Sequence, residues 1–418
     1  MNPTAIEGHL RLVLFQWGVI IGAAWLFGRL GKKLGQPLAV GEILAGIVLG
    51  PSALGLVWPH DWEPLFPAQT QQSLQLLGKI GLILLLFQVG MEFDYGHLRS
   101  RSRTVTAVSF MGIAMPFLGG LLVGPWLHRT FAPQLPSFGF KLFLCIALSI
   151  SALPIMGRIL LEMRLERTVI GAMAISAAAI DDVIGWILLA LATALVSSGF
   201  DGAKLAAQVV GVLGFFILAQ KVIGPALRWG YRRQAAAGPR LTASYLVLLL
   251  LVLFGCCLAT NALGVFAIFG AFILGVALHQ EIELARLWRE KFSDFVLVAL
   301  VPIFFTNTGL HTEIGALQTP LAWVGCAVVL AVAVAGKLGG CWLGARYTGQ
   351  SNREAASIAV LMNTRALMAL VAINVGLDLK LLNRELFTML VLMALLTTAM
   401  TGPLLRRCLP AELRPGLE

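Results

Sequence analysis

The sequence predicts an all-α polytopic membrane protein of about thirteen transmembrane helices. Three observations predict it. First, the chain is 58% hydrophobic and only 12% charged over 418 residues, with a mean hydropathy of +0.86, whereas a soluble domain carries roughly a quarter charged residues. Second, apolar segments long enough to cross a bilayer recur along the whole chain. Third, the basic residues gather in alternate loops, the asymmetry that sets orientation in membrane proteins.

Taken in order, the spans are expected at about 11–31, 37–57, 72–92, 104–127, 139–162, 168–196, 203–225, 241–260, 263–280, 295–310, 321–345, 355–376 and 386–405. With the N-terminus outside, the outer segments hold six basic residues: Arg11, Arg129, Lys141, Lys204, Lys380 and Arg384. Four more, Lys79, Lys221, Lys337 and Arg365, fall within spans, and the other 21 of the 31 lie on the inner side. This bias places the C-terminus in the cytoplasm, in an inner (plasma) membrane. It also accounts for the net charge of +10 without a nucleic-acid partner. No cleavable leader is expected before the first span. The loops are short, so function is expected within one membrane domain over 1–410, with half-bundles at about 11–225 and 241–405 and a short tail at 411–418. Of the longer inner connections, 228–240 reads as a flexible linker and 281–291 as an interfacial helix. The six cysteines lack metal-ligand spacing and read as small buried hydrophobes.

Two spans are interrupted. Span five combines Ser149, Ser151, Pro154 and Gly157, a helix breaker with hydroxyls able to satisfy freed backbone groups. Span twelve, seven spans later, carries Asn363, Thr364 and Arg365 at mid-depth. Interrupted spans at matching places in two halves point to an inverted-repeat transporter with its site at the midplane. An odd number of spans between them turns the second copy upside down. Broken helices expose ends of opposite partial charge, and Arg365 could offset the negative ones.

Asp181 and Asp182 stand side by side in span six. A carboxylate at mid-bilayer costs roughly 2.5–3.5 kcal/mol on insertion scales, so the pair should face protein or water and mark an ion or proton path. Neighbours on a helix point about 100° apart, so the two acids should meet different surroundings. Lys337, among the glycines of span eleven, is available to pair with one. The other is left for an ion or proton, and the cluster should exchange protons as a unit. Weaker candidates have simpler explanations. Glu42 reads as a surface or dimer-contact residue, Gln88, Glu92 and Asp94 as a solvated helix end, Thr306 and Asn307 as terminal capping, and His311 as exposed.

These residues carry a resemblance that covers nearly the whole chain. The motifs are Gly41-Glu-Ile-Leu-Ala-Gly-Ile-Val-Leu-Gly-Pro-Ser-Ala-Leu-Gly, Ser149-Ile-Ser-Ala-Leu-Pro-Ile-Met-Gly-Arg-Ile-Leu, the Asp181-Asp182 run, Lys337, Met362-Asn-Thr-Arg, and Val391-Leu-Met-Ala-Leu-Leu-Thr-Thr. With them the chain resembles the monovalent cation/proton antiporters of the second class, which include bacterial potassium and sodium exchangers and plant cation/proton exchangers. The resemblance implies a homodimer with a scaffold domain and a core domain, the core carrying crossed discontinuous helices (spans five and twelve) and moving like an elevator. It implies that Asp182, a metal-ion ligand in this sense, takes cation or proton in turn. Asp181 matches the preceding acid, with Lys337 as its charge partner, and Ser151 completes the binding set. Ser151 stands where many relatives have Thr, and Ala366 where Gly is usual. The sequence shows no counterpart of the regulatory nucleotide-binding domain that some potassium-efflux relatives append, so that mode of control is not expected.

The resulting expectation is exchange of sodium or potassium for protons across the lipid membrane, with no cofactor and no enzymatic step. The main alternative is a sodium-coupled organic-anion symporter of similar fold. A channel is also conceivable. An intramembrane aspartyl protease would need acids converging from two helices, whereas these two diverge.

Overall fold

The computed structural model describes residues 3–410 and 413 except 35, 59–64, 93–97, 197–201, 236–237, 239, 265–266, 311–314, 316, 366–368, 370–371, 374–375 and 378. Every regular element among them is helical. In chain order, apart from the single turn Leu54–Val57 that follows α2, these are α1 (Pro3–Lys33), α2 (Leu38–Leu49), α3 (Ala68–Glu92), α4 (Leu98–Phe131), α5 (Ser137–Ser149) and α6 (Leu153–Glu162). There follow α7 (Val169–Val196), α8 (Gly202–Leu218), α9 (Gly224–Ala235), α10 (Ala243–Ala262), α11 (Ile268–Leu278) and α12 (Ile282–Trp288). The last four are α13 (Val301–Leu310), α14 (Pro320–Tyr347), α15 (Asn352–Met362) and α16 (Arg384–Cys408). Wide π turns at Ala219–Ile223, Arg289–Ser293 and Val296–Leu300 link α8 to α9 and α12 to α13.

Among the described residues ten helical stretches are long and apolar enough to span a bilayer, which makes this a multi-pass membrane protein. The ninth and tenth expected spans are shorter apolar helices, Ile268–Leu278 and Val296–Asn307. The twelfth is helical only over Asn352–Met362 before its polar break. Helix starts follow the local chemistry. Thr319 caps α14, accepting from the Ala322 amide, with Pro320 in the first turn where no N–H is needed. Ser351 and Glu354 form a capping box on α15.

The chain forms two compact units, each drawing on both halves of the sequence. One comprises Met1–Leu30, Gly41–Asp94 and Ala206–His311. Glycines set its close helix contacts: a Cβ on Gly46 would lie 2.0 Å from the Thr306 carbonyl, and one on Gly275 2.4 Å from that of Phe87. Trp288 packs edge-on to Phe87, ring centroids 4.8 Å apart, at the centre of its core.

The other unit comprises Gly31–Val40, Tyr95–Leu205 and Thr312–Glu418. Here α14 lies on α4 through Gly336, Gly340 and Gly344, one every helical turn. Cβ atoms on them would fall 2.8 Å from Pro116 Cα, 2.3 Å from the Met111 oxygen and 2.6 Å from the Ala107 oxygen. Small residues at this spacing let backbones touch where lipid offers no hydrophobic drive. Gly339, next to them, meets nothing. The α5–α6 stretch is the most deeply buried of the ten spans, so its irregular backbone faces protein.

Several expectations need correction. Of the 228–240 connection, read as a flexible linker, residues 228–235 are helical in α9 and the Gln234 amide donates to the Arg240 carbonyl at 2.6 Å, while 236, 237 and 239 lie outside the described residues. In the 281–291 connection, Leu284, Ala285 and Trp288 pack into the protein core rather than resting at a lipid interface. Glu42 is buried, with its carbonyl accepting from the Thr306 hydroxyl at 3.2 Å. Thr306 and Asn307 therefore lie inside α13 and are not terminal caps. Gln88 and Glu92 form no solvated end: both are buried, Gln88 donates to Glu92 (2.9 Å) and Ser293 (3.1 Å), and Arg289 pairs with Glu92 at 2.8 Å. Five cysteines are buried and Cys408 is half-buried, all of them free thiols. Asp94, His311 and Ala366 lie outside the described residues.

Candidate functional site

Helix α5 stops at Ser149, and Ile150, Ser151 and Ala152 run extended before α6 starts at Leu153 with Pro154 in its first turn. Proline has no N–H to give there and fixes a helical φ, so it marks a start rather than a kink. The second break follows Met362: Asn363 closes α15, and Thr364 and Arg365 leave the helix.

The two breaks satisfy each other. The Ala152 N–H donates to the Thr364 carbonyl at 2.8 Å, and the Ser151 hydroxyl lies 2.9 Å from the Met362 carbonyl. The carbonyl end of α5 is capped by two cations. Lys337 Nζ donates to the Ser149 oxygen at 2.7 Å, and Arg365 donates to the Leu148 oxygen and, at 2.7 Å, to that of Ala333 on α14. Positive charge is favoured there by the aligned peptide dipoles. Arg365 is 0% exposed, so it lies inside the protein against this broken end and does not snorkel. Ser149 turns its hydroxyl to the Cys145 carbonyl at 2.7 Å, within 3.1 Å of that of Ile113. Thr364 contacts Thr401 Oγ1 at 3.1 Å, and the buried Asn363 keeps its Oδ1 without a partner.

Asp181 and Asp182 are both buried, and they diverge as adjacent helical positions must. Asp181 is surrounded by donors. Lys337 Nζ sits 2.6 Å from its Oδ2, the Ser151 hydroxyl 3.0 Å from the same oxygen, and the Ser109 hydroxyl on α4 2.6 Å from Oδ1. Both members of the ion pair have 0% exposed side chains. Asp182 instead faces the start of α6, where the Leu153 N–H lies 3.3 Å from its Oδ2, and its buried Oδ1 has no partner. Leaving such an oxygen unpaired costs roughly 1–3 kcal/mol, or more for a charged group.

All eight sequence-selected residues, Ser149, Ser151, Asp181, Asp182, Lys337, Asn363, Thr364 and Arg365, are buried within this one unit. Sequence reasoning missed Ser109, whose only signal is a hydroxyl inside an apolar span. It also missed the second role of Lys337 on the Ser149 carbonyl. Among the described residues no three His, Cys, Asp or Glu side chains converge.

Over 408 residues the chain is 38% identical to the Na(+)/H(+) antiporter NhaS4 of Synechocystis sp., covering 96% of this chain and 98% of that one. It is 36% identical to Cation/H(+) antiporter 20 of Arabidopsis thaliana over 94% of this chain and 28% to K(+)/H(+) antiporter 1 of Saccharomyces cerevisiae over 98%. The chain spans about half the length of the plant and yeast relatives, 48% in each case. The solved structure of the sodium proton antiporter MjNhaP1 from Methanocaldococcus jannaschii matches with a TM-score of 0.67 over 95% of this chain and 96% of that one. Its 14% identity makes this a likeness of fold alone. Residues 19–409 match the family described as sodium/hydrogen exchanger, transmembrane. A match of that extent, joined to the relatives' similarity, means that the chain belongs to the transmembrane sodium/hydrogen exchanger family.

Proposed function

We propose that the protein is a secondary antiporter that exchanges a monovalent cation, Na⁺ or K⁺, for protons by alternating access. The observation that carries this is the contrast between the two acids. Asp181 spends its carboxylate on Lys337, Ser151 and Ser109, while Asp182 keeps a buried oxygen without a partner. A buried carboxylate with one unused oxygen calls for a cation or a proton. Either ligand neutralises Asp182, and both cannot do so at once. With neither bound, an uncompensated charge resists crossing the membrane, so competition for one carboxylate couples the two flows. Asp181, Lys337 and Ser151 hold the adjoining charge, and Asn363, Thr364 and Arg365 hold the second break open.

The finer architecture belongs to the same proposal. Thirteen spans in two inverted half-bundles, about 11–225 and 241–405, would place spans five and twelve across one another, which the Ala152–Thr364 and Ser151–Met362 bonds support. One compact unit would then act as a moving core and the other as a scaffold in a homodimer. The N-terminus would face out and the C-terminus the cytoplasm, across an inner (plasma) membrane. The relatives' names speak of cation and proton exchange and do not favour the organic-anion symporter.

The test is proton flux in proteoliposomes on addition of Na⁺ or K⁺. The parent chain should respond to at least one ion and Asp182→Asn to neither. Undiminished flux in that variant would remove the mechanism.

A further inference from the structure

At the two breaks, a pair of buried side-chain oxygens has no hydrogen-bond partner among the described residues: Oδ1 of Asp182 and Oδ1 of Asn363. The first is assigned above to cation and proton in turn. The second needs an explanation of its own, because Asn363 is 1% exposed and a dry amide oxygen forfeits the hydrogen bond that water would give it. Closing α15 does not supply one, since that task falls to the backbone, whose Asn363 N–H donates to the Ala359 carbonyl at 3.0 Å. The peptide groups on either side of Asn363 are fastened to the first break. The Ser151 hydroxyl donates to the Met362 carbonyl at 2.9 Å, and the Ala152 N–H to the Thr364 carbonyl at 2.8 Å. The same stretch of the first break holds the acids: the Ser151 hydroxyl lies 3.0 Å from Asp181 Oδ2 and the Leu153 N–H 3.3 Å from Asp182 Oδ2. Residues 151–153 therefore bind the backbone around Asn363 on one side and both carboxylates on the other.

We propose that the Asn363 amide oxygen is a further ligand of the transported cation and helps to set which monovalent cation the site accepts. This rests on the antiport activity proposed above and adds a specificity-determining residue to it. A cation that leaves water must have its hydration shell replaced by several oxygens at once, carbonyl oxygens serving as well as carboxylates. A proton on Asp182 needs no such cage. The amide oxygen accepts without carrying a charge, so it stabilises the cation-loaded site and does nothing comparable for the protonated one. Specificity is a difference of affinities, and an uncharged oxygen beside a shared carboxylate supplies such a difference.

The experiment measures cation-driven proton flux in proteoliposomes at one fixed pH against rising Li⁺, Na⁺ or K⁺. It compares the parent chain with Asn363→Leu, which keeps the volume and loses the oxygen, and Asn363→Ser, which keeps a shorter polar group. In Asn363→Leu the KM for the cation should rise roughly tenfold, the scale of one polar contact to a charged group. The rise should differ among the ions, so that their relative KM values change, and Asn363→Ser should fall between leucine and the parent. A second readout needs no transport: the concentration of cation that raises the thermal unfolding temperature of the detergent-solubilised protein should also increase roughly tenfold in Asn363→Leu. A role in closing α15 alone would lower the maximal flux by one common factor and leave KM and its ratios between ions unmoved. That result in Asn363→Leu, or in Asn363→Ser where only the serine variant folds, overturns the inference about Asn363 and leaves the antiport reading standing. A parent chain that exchanges none of the three ions overturns both.

Discussion

Replacing Lys337 by methionine removes one positive charge while keeping most of the side chain's volume. In the native protein Nζ lies 2.6 Å from Asp181 and 2.7 Å from the Ser149 carbonyl, and both members of the ion pair are fully buried. Removing one partner of a buried pair costs about 3–5 kcal/mol, because the remaining charge has no compensation. Two hydroxyls, from Ser109 and Ser151, still donate to Asp181, which places the expected loss near the lower end, about 3 kcal/mol. The orphaned Ser149 carbonyl acts in the same direction. Adding Asp181→Asn to Lys337→Met removes the stranded charge, and replacing a buried pair by neutral groups of similar size is often close to neutral. The double variant should therefore be more stable than Lys337→Met alone, with a coupling energy of about 2 kcal/mol or more. Denaturant unfolding in detergent micelles, followed by tryptophan fluorescence, gives the four corners of the cycle. If Lys337→Met unfolds within about 0.5 kcal/mol of the parent, or the two losses simply add, the pair does not couple in the way its geometry requires.

Three further outcomes follow from helix packing and capping. Gly340→Leu should separate α4 from α14, since even a Cβ would sit 2.3 Å from the Met111 carbonyl; a loss of at least about 1–3 kcal/mol is expected from overpacking, and unchanged unfolding would show that the seam yields. In the α15 capping box, Ser351→Ala should cost about 1 kcal/mol, read by thermal unfolding. The Ser351 side chain, and then its backbone N–H, hold the Glu354 carboxyl below its ordinary value of 4.5, so the box's electrostatic contribution is fully present above that value and is lost as pH falls through the lower native one. Stability of Glu354→Gln should then change less between pH 6 and pH 3 than that of the parent, judged on the same unfolding curves at about those pH values.

Much of this was legible in residue order because it rests on local rules. Length and hydropathy located ten long apolar helices of the thirteen spans expected. Pro154 and the hydroxyls around it marked the first break, and Asn363, Thr364 and Arg365 the second. The 100° turn between neighbours alone required Asp181 and Asp182 to part company. What could not be read depends on partners far along the chain. Ser109 and Ser176 are both lone serines in apolar spans, yet Ser176 bonds back to Ala172 of its own helix at 2.7 Å while Ser109 crosses to Asp181. No local signal separates them. Likewise Gln88 and Glu92 resemble a wet helix end until Ser293 and Arg289 close over them, and Glu42 looks exposed until α13 packs across α2 through Gly46 and Gly309.

The same geometry explains why one acid is spent and its neighbour spared. Lys337 bridges Asp181 and the last carbonyl of α5, so the ion pair and the helix break share one ammonium group. Arg365 takes the preceding carbonyl, Leu148, and reaches back to Ala333, one turn from Lys337 on α14. The last two carbonyls of α5 are thus held by cations from α14 and the second break, and Asp181 balances one of them. Asp182 receives a backbone N–H at the start of α6 and no side-chain donor. A charge held by a helix start can be neutralised and released without breaking an ion pair. Asp181 cannot change its charge without freeing Lys337 and uncapping α5. An exchangeable ligand would therefore be far easier to accommodate at Asp182, and under the antiport proposal the fixed pair beside it would keep the broken helices in register during exchange.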